Sequence, residues 1–219
     1  MIELKDLEIG YTSKKEIKSV YKNINASFNS GMLIGLIGNN GVGKSTLLKT
    51  ITGSLKPLAG QILVNQKNIS DYTSSLFSQT ISIVVTEKIS GFNLTVWDVV
   101  ALGRTPYISI FAKLSSHDEN IINESLETLK IAHLKTKLID ELSDGQRQKV
   151  MIAKSLAQQT PIIIMDEPTA FLDYNSKHHL FELLKELCLN QNKLIIVSSH
   201  DLDLMNKYVS STLEMRDII

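Results

Sequence analysis

The apolar and polar positions of the chain fall into three periods. Ile2 to Tyr11 alternates, with Leu7, Ile9 and Tyr11 on one phase, which predicts a half-exposed strand ending at the polar loop Thr12 to Lys15. Val20 to Phe28 predicts a second strand, closed by the Ser30-Gly31 turn, and Gln61 to Asn65 a third, after Pro57 and Gly60. These three predict a small antiparallel sheet. By contrast, Leu33 to Ile37, Ile162 to Met165 and Leu194 to Val197 are continuous apolar runs, the pattern of parallel strands buried on both faces. Helical spacing follows each of them or precedes it. Leu47, Leu48 and Ile51 share one face, with Gly53 as a stop; Val150, Ala153, Leu156 and Ala157 share another. Leu180, Leu183, Leu184, Leu187 and Cys188 predict a longer amphipathic helix.

The middle of the chain reads as helices only. Thr95 is a candidate N-cap, with Asp98 at the third helical position and Gly103 as the stop. Ser116 is a second candidate cap, before the stripe Ile121, Ile122, Leu126 and Leu129. Residues 88 to 140 are therefore expected to form a helical insert within one domain spanning 1–219.

Composition narrows the classes. The 219 residues suffice for one domain with subdomains and a sizeable core. With 23 basic and 23 acidic residues the net charge is zero, which gives no electrostatic case for nucleic acid. Cys188 stands alone, cannot form an internal disulfide and suits a reducing compartment, as a small buried residue. Met1 to Asp6 lacks the apolar core of a signal peptide, and no apolar run approaches the roughly 18 residues of a membrane span. The expectation is a soluble chain whose membrane role, if it has one, comes through a partner.

The candidate chemistry is concentrated at Gly38 to Thr46. This stretch fits G-x-x-x-x-G-K-[ST], with Gly38, Gly43, Lys44 and Ser45 on the fixed positions. A phosphate chain needs several backbone N–H groups aimed at one point, and only a loop with few side chains can wrap so closely. Gly38, Asn39, Asn40, Gly41, Val42 and Gly43 would supply that backbone, and the helix from Lys44, Ser45 and Thr46 would point its positive end at the same phosphates. Lys44 brings a charge to the β- and γ-phosphates of a nucleotide, and the Ser45 hydroxyl can ligate Mg²⁺. The fold class this implies is α/β: a P-loop NTPase core with a parallel sheet flanked by helices, a small antiparallel β subdomain and an α-helical subdomain.

Two further strand ends carry polar groups. Asp166 and Glu167 follow the run Ile162 to Met165, at the sheet end where α/β proteins bind ligands. Asp166 can hold Mg²⁺, and Glu167 can take a proton from an attacking water. His200, in Ser198-Ser199-His200-Asp201, follows the run Leu194 to Val197 and is placed to hydrogen-bond a γ-phosphate. His117, His133, His178 and His179 fall on polar helix faces or loops and receive no role. In Leu142-Ser143-Asp144-Gly145-Gln146, Ser143 and Gln146 have capping-box spacing. On its own this reads as a well-capped helix; a hydroxyl and free N–H groups at a helix start could also grip phosphate.

These motifs, in this order, resemble the ATP-binding subunit of an ABC transporter over essentially the whole chain. They are 38–46, 142–146, Asp-Glu at 166–167, Phe-Leu-Asp at 171–173 and Ser-His-Asp at 199–201. The resemblance implies a head-to-tail homodimer closing on two ATP molecules. Each would lie between the phosphate loop of one copy and Ser143, Gly145 and Gln146 of the other. It implies that Tyr11 stacks on adenine and that Asp173 belongs to a loop crossing the dimer seam. Ala101 to Tyr107 and Pro168 to Asp173 are similar to importers of iron–siderophore complexes, haem and cobalamin. That implies an ATPase at the cytoplasmic face of the cell membrane, bound to permease subunits. The stretch Thr86 to Tyr107 leaves a core strand beside the γ-phosphate site and carries Trp97 and Tyr107, aromatics of the type enriched at interfaces, so the permease is expected to bind there, with Trp97, Arg104 and Tyr107 as the contacts to test. A substrate-binding protein would be an indirect partner.

The sequence departs from the family in three places. The usual Gln after the strand Ile81 to Val85 is replaced by Thr86-Glu87, and either residue could approach Mg²⁺ in its stead. Asp144 stands where Gly is commoner. Ile219 follows soon after His200, whereas relatives usually carry another strand and helix, so the sheet edge is expected to be incomplete. Two other readings are an exporter motor and a soluble ABC ATPase acting on nucleic acid or ribosomes. The second would want long insertions, a basic face or two fused units, and none is present.

Overall fold

The computed structural model describes residues 1–13, 16–85, 93–108 and 113–216. Its elements run β1 (Ile2–Thr12), β2 (Ile17–Phe28), β3 (Leu33–Gly38), α1 (Lys44–Ile51), β4 (Ala59–Val64), β5 (Lys67–Asn68), α2 (Ser74–Thr80) and β6 (Ile81–Val84). They continue with α3 (Val96–Ala101), α4 (Ser116–Thr128), α5 (Asp144–Ala157), β7 (Ile162–Met165), α6 (Tyr174–Gln191), β8 (Leu194–Ser198), α7 (Leu202–Tyr208) and β9 (Ser211–Met215).

Two sheets result. One is antiparallel, in the order β2-β1-β4-β5; the other is parallel, in the order β6-β7-β8-β3-β9. The apolar runs are continuous because each parallel strand serves two cores. Ile163 and Met165 of β7, with Ile195 and Val197 of β8, pack among α3 to α7. Ile162 and Ile164, with Leu194 and Ile196, face the antiparallel sheet and α1. Successive strand residues point to opposite faces, so a polar residue anywhere in these runs would enter a core.

Beyond His200 the chain adds β9, which pairs in parallel with β3, from Ile34–Ser211 to Gly38–Met215, at the edge of the parallel sheet. Its sequence, Ser-Thr-Leu-Glu-Met, lacks a continuous apolar run because it is an edge strand, exposed at Ser211 and Thr212. Three other elements are also unanticipated: β5, α2 and α7.

In the helical region, Thr95 forms the capping box with Asp98, as its spacing predicts. Gly103 does not stop the chain there. Leu102–Tyr107 continues as a 3₁₀ segment, and a Cβ at Gly103 would meet the Lys154 carbonyl at 2.4 Å. Gly103 is thus a close-approach residue against α5. The cap of α4 is Ser115, one residue before Ser116, because Asp118 reaches back to its N–H and hydroxyl.

Arg104 is buried, at 4% exposure. Its Nε lies 2.8 Å from Asp118 Oδ1, its Nη1 donates to the Ala157 carbonyl and Gln159 Oε1, and its guanidinium sits 4.2 Å from the centre of the Tyr107 ring. The expectation that Arg104 meets a permease is therefore corrected: its donors are used in binding the 3₁₀ segment to α4 and α5. Trp97 is half-buried against the core, whereas Tyr107 is exposed. Thr86 and Glu87, the candidate replacements for the missing Gln, lie outside the described residues.

Candidate functional site

The phosphate loop joins β3 to α1. Its conformation requires glycine at three places: Gly38, Gly41 and Gly43 have φ of 153°, 82° and 113°. These values lie in the left-handed half of backbone space, which residues with a Cβ rarely enter. At Gly38 a Cβ would also strike the Met215 carbonyl of β9 at 2.5 Å. Gly41 has nothing within 4 Å of where a Cβ would stand, so its backbone faces open space. Lys44 is buried, with Nζ donating to the carbonyls of Gly38 at 2.7 Å and Asn39 at 3.1 Å. Ser45 is exposed at the first turn of α1, and Thr46 beneath it is buried. The end of β1 reaches the same place, since the Tyr11 hydroxyl lies 3.0 Å from Thr46 Oγ1.

The carboxylates approach from β7. The Asp166 N–H donates to the Val84 carbonyl of β6, and Asp166 Oδ1 accepts from the Ser198 hydroxyl at 2.6 Å. Glu167 departs from the strand with a positive φ of 48°, an unusual conformation for a residue with a long side chain, and its N–H donates to Ser198 Oγ at 2.9 Å. Glu167 Oε1 lies 3.0 Å from His200 Nε2, within ion-pair distance but without the alignment of a hydrogen bond. Burial pushes the Glu167 carboxyl above the ordinary glutamate range, against the charges of His200 and Lys44, while Asp166 pushes it further up. The loop, Tyr11, Asp166, Glu167 and His200 therefore form one cluster at the ends of β3, β7 and β8.

Ser143, Gly145 and Gln146 stand apart from these contacts. Ser143 caps α5, with Gln146 N–H donating to its hydroxyl at 3.3 Å and its own N–H donating to Gln146 Oε1 at 3.1 Å. Arg147 closes over this start, 2.7 Å from Asp144 and donating to the Leu142 carbonyl. A Cβ on Gly145 would come 2.9 Å from the Phe171 carbonyl, so the helix start rests on the turn before Asp173. Asp173 is the N-cap of α6 and accepts from the N–H and hydroxyl of Ser176, both at 2.8 Å, which lowers its carboxyl below the usual range.

Ser198 is the residue of this cluster that motif reading passes over. Its sequence signal is faint: a polar residue closing an apolar run, with no fixed spacing to Asp166. Likewise Thr46 has a readable place in the loop, yet nothing in the sequence ties it to Tyr11.

The site can do phosphate chemistry. It offers a backbone cradle, a buried ammonium, oxygen ligands at Ser45 and Asp166, and a half-buried carboxylate beside an imidazole. Among the described residues no group of three or more His, Cys, Asp and Glu side chains could enclose a metal. The Ser45 and Asp166 oxygens fit a hard divalent cation that takes its remaining ligands from phosphate and water.

Comparison with known proteins agrees. Residues 21–170 match the family model described as ABC transporter. An uncharacterised ABC transporter ATP-binding protein of Methanocaldococcus jannaschii is 41% identical over 93% of this chain and 69% of its own. The iron(3+)-hydroxamate import ATP-binding protein of Bacillus subtilis is 34% identical over 92% of this chain and 74% of its own. Among solved structures, a dimeric bacterial ABC transporter cassette superposes with a TM-score of 0.87 at 27% identity, covering 99% of this chain and 94% of that one. The chain belongs to the ABC transporter family, as one of its ATP-binding, ATP-hydrolysing cassettes.

Proposed function

We propose that this cassette is the motor subunit of an importer for metal chelates, of the iron–siderophore, haem or cobalamin kind. The observation that carries the ATPase half is the cluster of Lys44, Asp166, Glu167 and His200 at the ends of three adjacent parallel strands. Import of a metal chelate is supported by the similarity to an iron(3+)-hydroxamate import subunit. An exporter motor is the alternative; no residue of the site separates the two.

In this reading Gly38 to Thr46 hold the phosphates of ATP, and Tyr11 presents its exposed face to adenine. Mg²⁺, held by Ser45 and Asp166, would supply charge neutralisation on the transferring phosphoryl group. Glu167 accepts the proton of the attacking water, and burial favours that acceptance by raising its basicity. His200, 3.0 Å from Glu167, orients the carboxylate and faces the γ-phosphate. Two copies would pair head to tail, so that Ser143, Gly145 and Gln146 of each complete the site of the other. The similar cassette of known structure is a dimer, which supports this pairing.

No helix among the described residues is long and apolar enough to cross a membrane, so the transport path needs permease subunits. The protein would sit beneath them at the cytoplasmic face of the cell membrane, with a substrate-binding protein on the far side. Leu102 and Tyr107, exposed beside the buried Arg104, are the docking candidates. The test is complementation. A host lacking its own importer ATPase should regain uptake of ferric hydroxamate when given this protein with its neighbouring permease genes. Uptake equally restored by Glu167→Gln would reject the motor role, and export of the chelate would decide for the alternative.

A further inference from the structure

We infer that Ser198 is a positioning residue that sets Asp166 and Glu167 for their work, an inference that rests on the roles proposed for those two carboxylates. Ser198 closes β8 and is fully buried. A hydroxyl has one hydrogen to give and lone pairs to receive. Ser198 uses both at once. It donates to Asp166 Oδ1 at 2.6 Å and accepts from the Glu167 N–H at 2.9 Å. The short O–H···O⁻ distance is that of a charge-assisted bond.

The bond takes over where the sheet ends. The β7–β8 pairing runs up to Met165 and Val197, and the next rung is made by the Ser198 side chain in place of the backbone. On the other side the Asp166 N–H is held by the Val84 carbonyl of β6. The two peptides flanking Asp166 are thus held, one from each neighbouring strand. That matters because Glu167 holds a left-handed φ, which persists only where the surroundings enforce it.

Ser198 is also joined to the rest of the site through the backbone. It pairs with Leu36 of β3, two residues before Gly38 opens the phosphate loop, and it precedes His200 by two. One residue therefore registers the loop strand, the metal-holding oxygen, the base and the histidine. With its hydrogen on Oδ1, Ser198 restrains the Asp166 carboxylate from one oxygen and leaves Oδ2 outside this bond, so the carboxylate would be held ready to bind Mg²⁺ or its water. Groups that orient a metal ligand in this way typically change metal affinity or activity about 10–100-fold when removed.

The experiment compares Ser198→Thr with Ser198→Val, which are alike in shape and differ in the hydroxyl. A fluorescent ATP analogue is titrated at equilibrium, without turnover, first in excess chelator and then with rising Mg²⁺. Binding in chelator should agree within about twofold between the two variants, while the Mg²⁺ midpoint of the Val variant should lie about tenfold above that of the Thr variant. Amide exchange at Glu167 should be faster in the Val variant, since its N–H has lost its acceptor. Ser198→Ala, which adds no volume, should shift the midpoint against the wild type in the same direction. Equal midpoints and equal exchange in the Thr and Val variants would overturn the inference. A wild-type protein that binds no nucleotide would instead bring down the ATPase reading, and this inference with it.

Discussion

The Tyr11 hydroxyl and Thr46 Oγ1 lie 3.0 Å apart, which ties the end of β1 to the first turn of α1. Tyr11 remains 46% exposed, so its ring keeps a free face while its tip is anchored. An aromatic that only stacks would lose little when Tyr becomes Phe. Here the bond to Thr46 orients the ring, and a net hydrogen bond contributes about 0.5–1.5 kcal/mol. Tyr11→Ala should weaken ATP binding by about 1–2 kcal/mol, and Tyr11→Phe by about 0.5–1.5 kcal/mol. Thr46→Val should match Phe, and the double change Tyr11→Phe with Thr46→Val should cost no more than either alone. Equilibrium titration with ATP checks this; full additivity would show that the two groups act separately.

The Arg104–Asp118 pair makes a stability prediction. Both side chains are buried, and breaking such a pair from one side leaves a charge without its partner, at about 3–5 kcal/mol. Arg104→Met should therefore lower the melting temperature strongly, with loss of packing at the 3₁₀ segment. Asp118 also responds to pH. Bonds from Ser115, with Arg104 behind them, hold its carboxyl down at about 2, against an ordinary value of 3.8. A depressed folded pKa gives stability that is fully present above the unfolded value and lost as pH falls through the folded one. The melting-temperature gap between wild type and Asp118→Asn should be constant above pH 5 and close between pH 4 and 2. A gap unchanged down to pH 2 would mean that the Asp118 charge contributes nothing.

These two sites differ in how far the sequence exposes them. The loop at 38–46, the caps at Thr95 and Ser143, and the runs ending at Asp166 and His200 are all local patterns, in which one stretch of chain determines its own geometry. Arg104 is different. Its sequence neighbours, Leu102 and Tyr107, are exposed, and what buries it is Asp118 and the end of α5, 14 and 53 or more residues away. Ser198 bonds across 31 and 32 residues to Glu167 and Asp166. Among the described residues β9 is paired on one side only, by β3, whose Ile34 pairs with Ser211, 177 residues later. Long-range partners leave no period in the sequence, so residues whose roles depend on them read as surface.

Gly145 provides a third test. Because its missing Cβ would meet the Phe171 carbonyl at 2.9 Å, Gly145→Ala must displace backbone rather than a flexible side chain. The displaced turn leads into Asp173 and α6. Binding of ATP to one copy should be nearly unchanged, since no residue of 38–46 is touched. Hydrolysis should fall about tenfold or more if Gly145 completes the site of a second copy, as misplacement by about 1 Å can cost a hundredfold. Measuring both in one preparation separates the outcomes: equal losses in binding and turnover would point to general unfolding instead.

Glu167 makes the last prediction. A general base must be unprotonated at working pH, and burial raises the Glu167 carboxyl above its ordinary 4.5, with His200 and Lys44 pulling it down and Asp166 pushing it up. As pH falls through the raised value, the carboxyl takes up a proton and the base is lost. The acid limb of kcat should therefore lie above pH 4.5, higher than for an exposed glutamate. Of the opposing charges His200 acts most strongly, so His200→Ala should move that limb to still higher pH, besides lowering the maximum rate. Glu167→Gln keeps the shape but neither charge nor basicity. Hydrolysis should fall by about 10²-fold or more and the limb should disappear, while ATP binding survives on Lys44, Ser45 and Asp166. Rates across pH 4 to 9 on all three proteins check it. If the acid limb persists in Glu167→Gln at its wild-type position, another group titrates there and Glu167 is not the base.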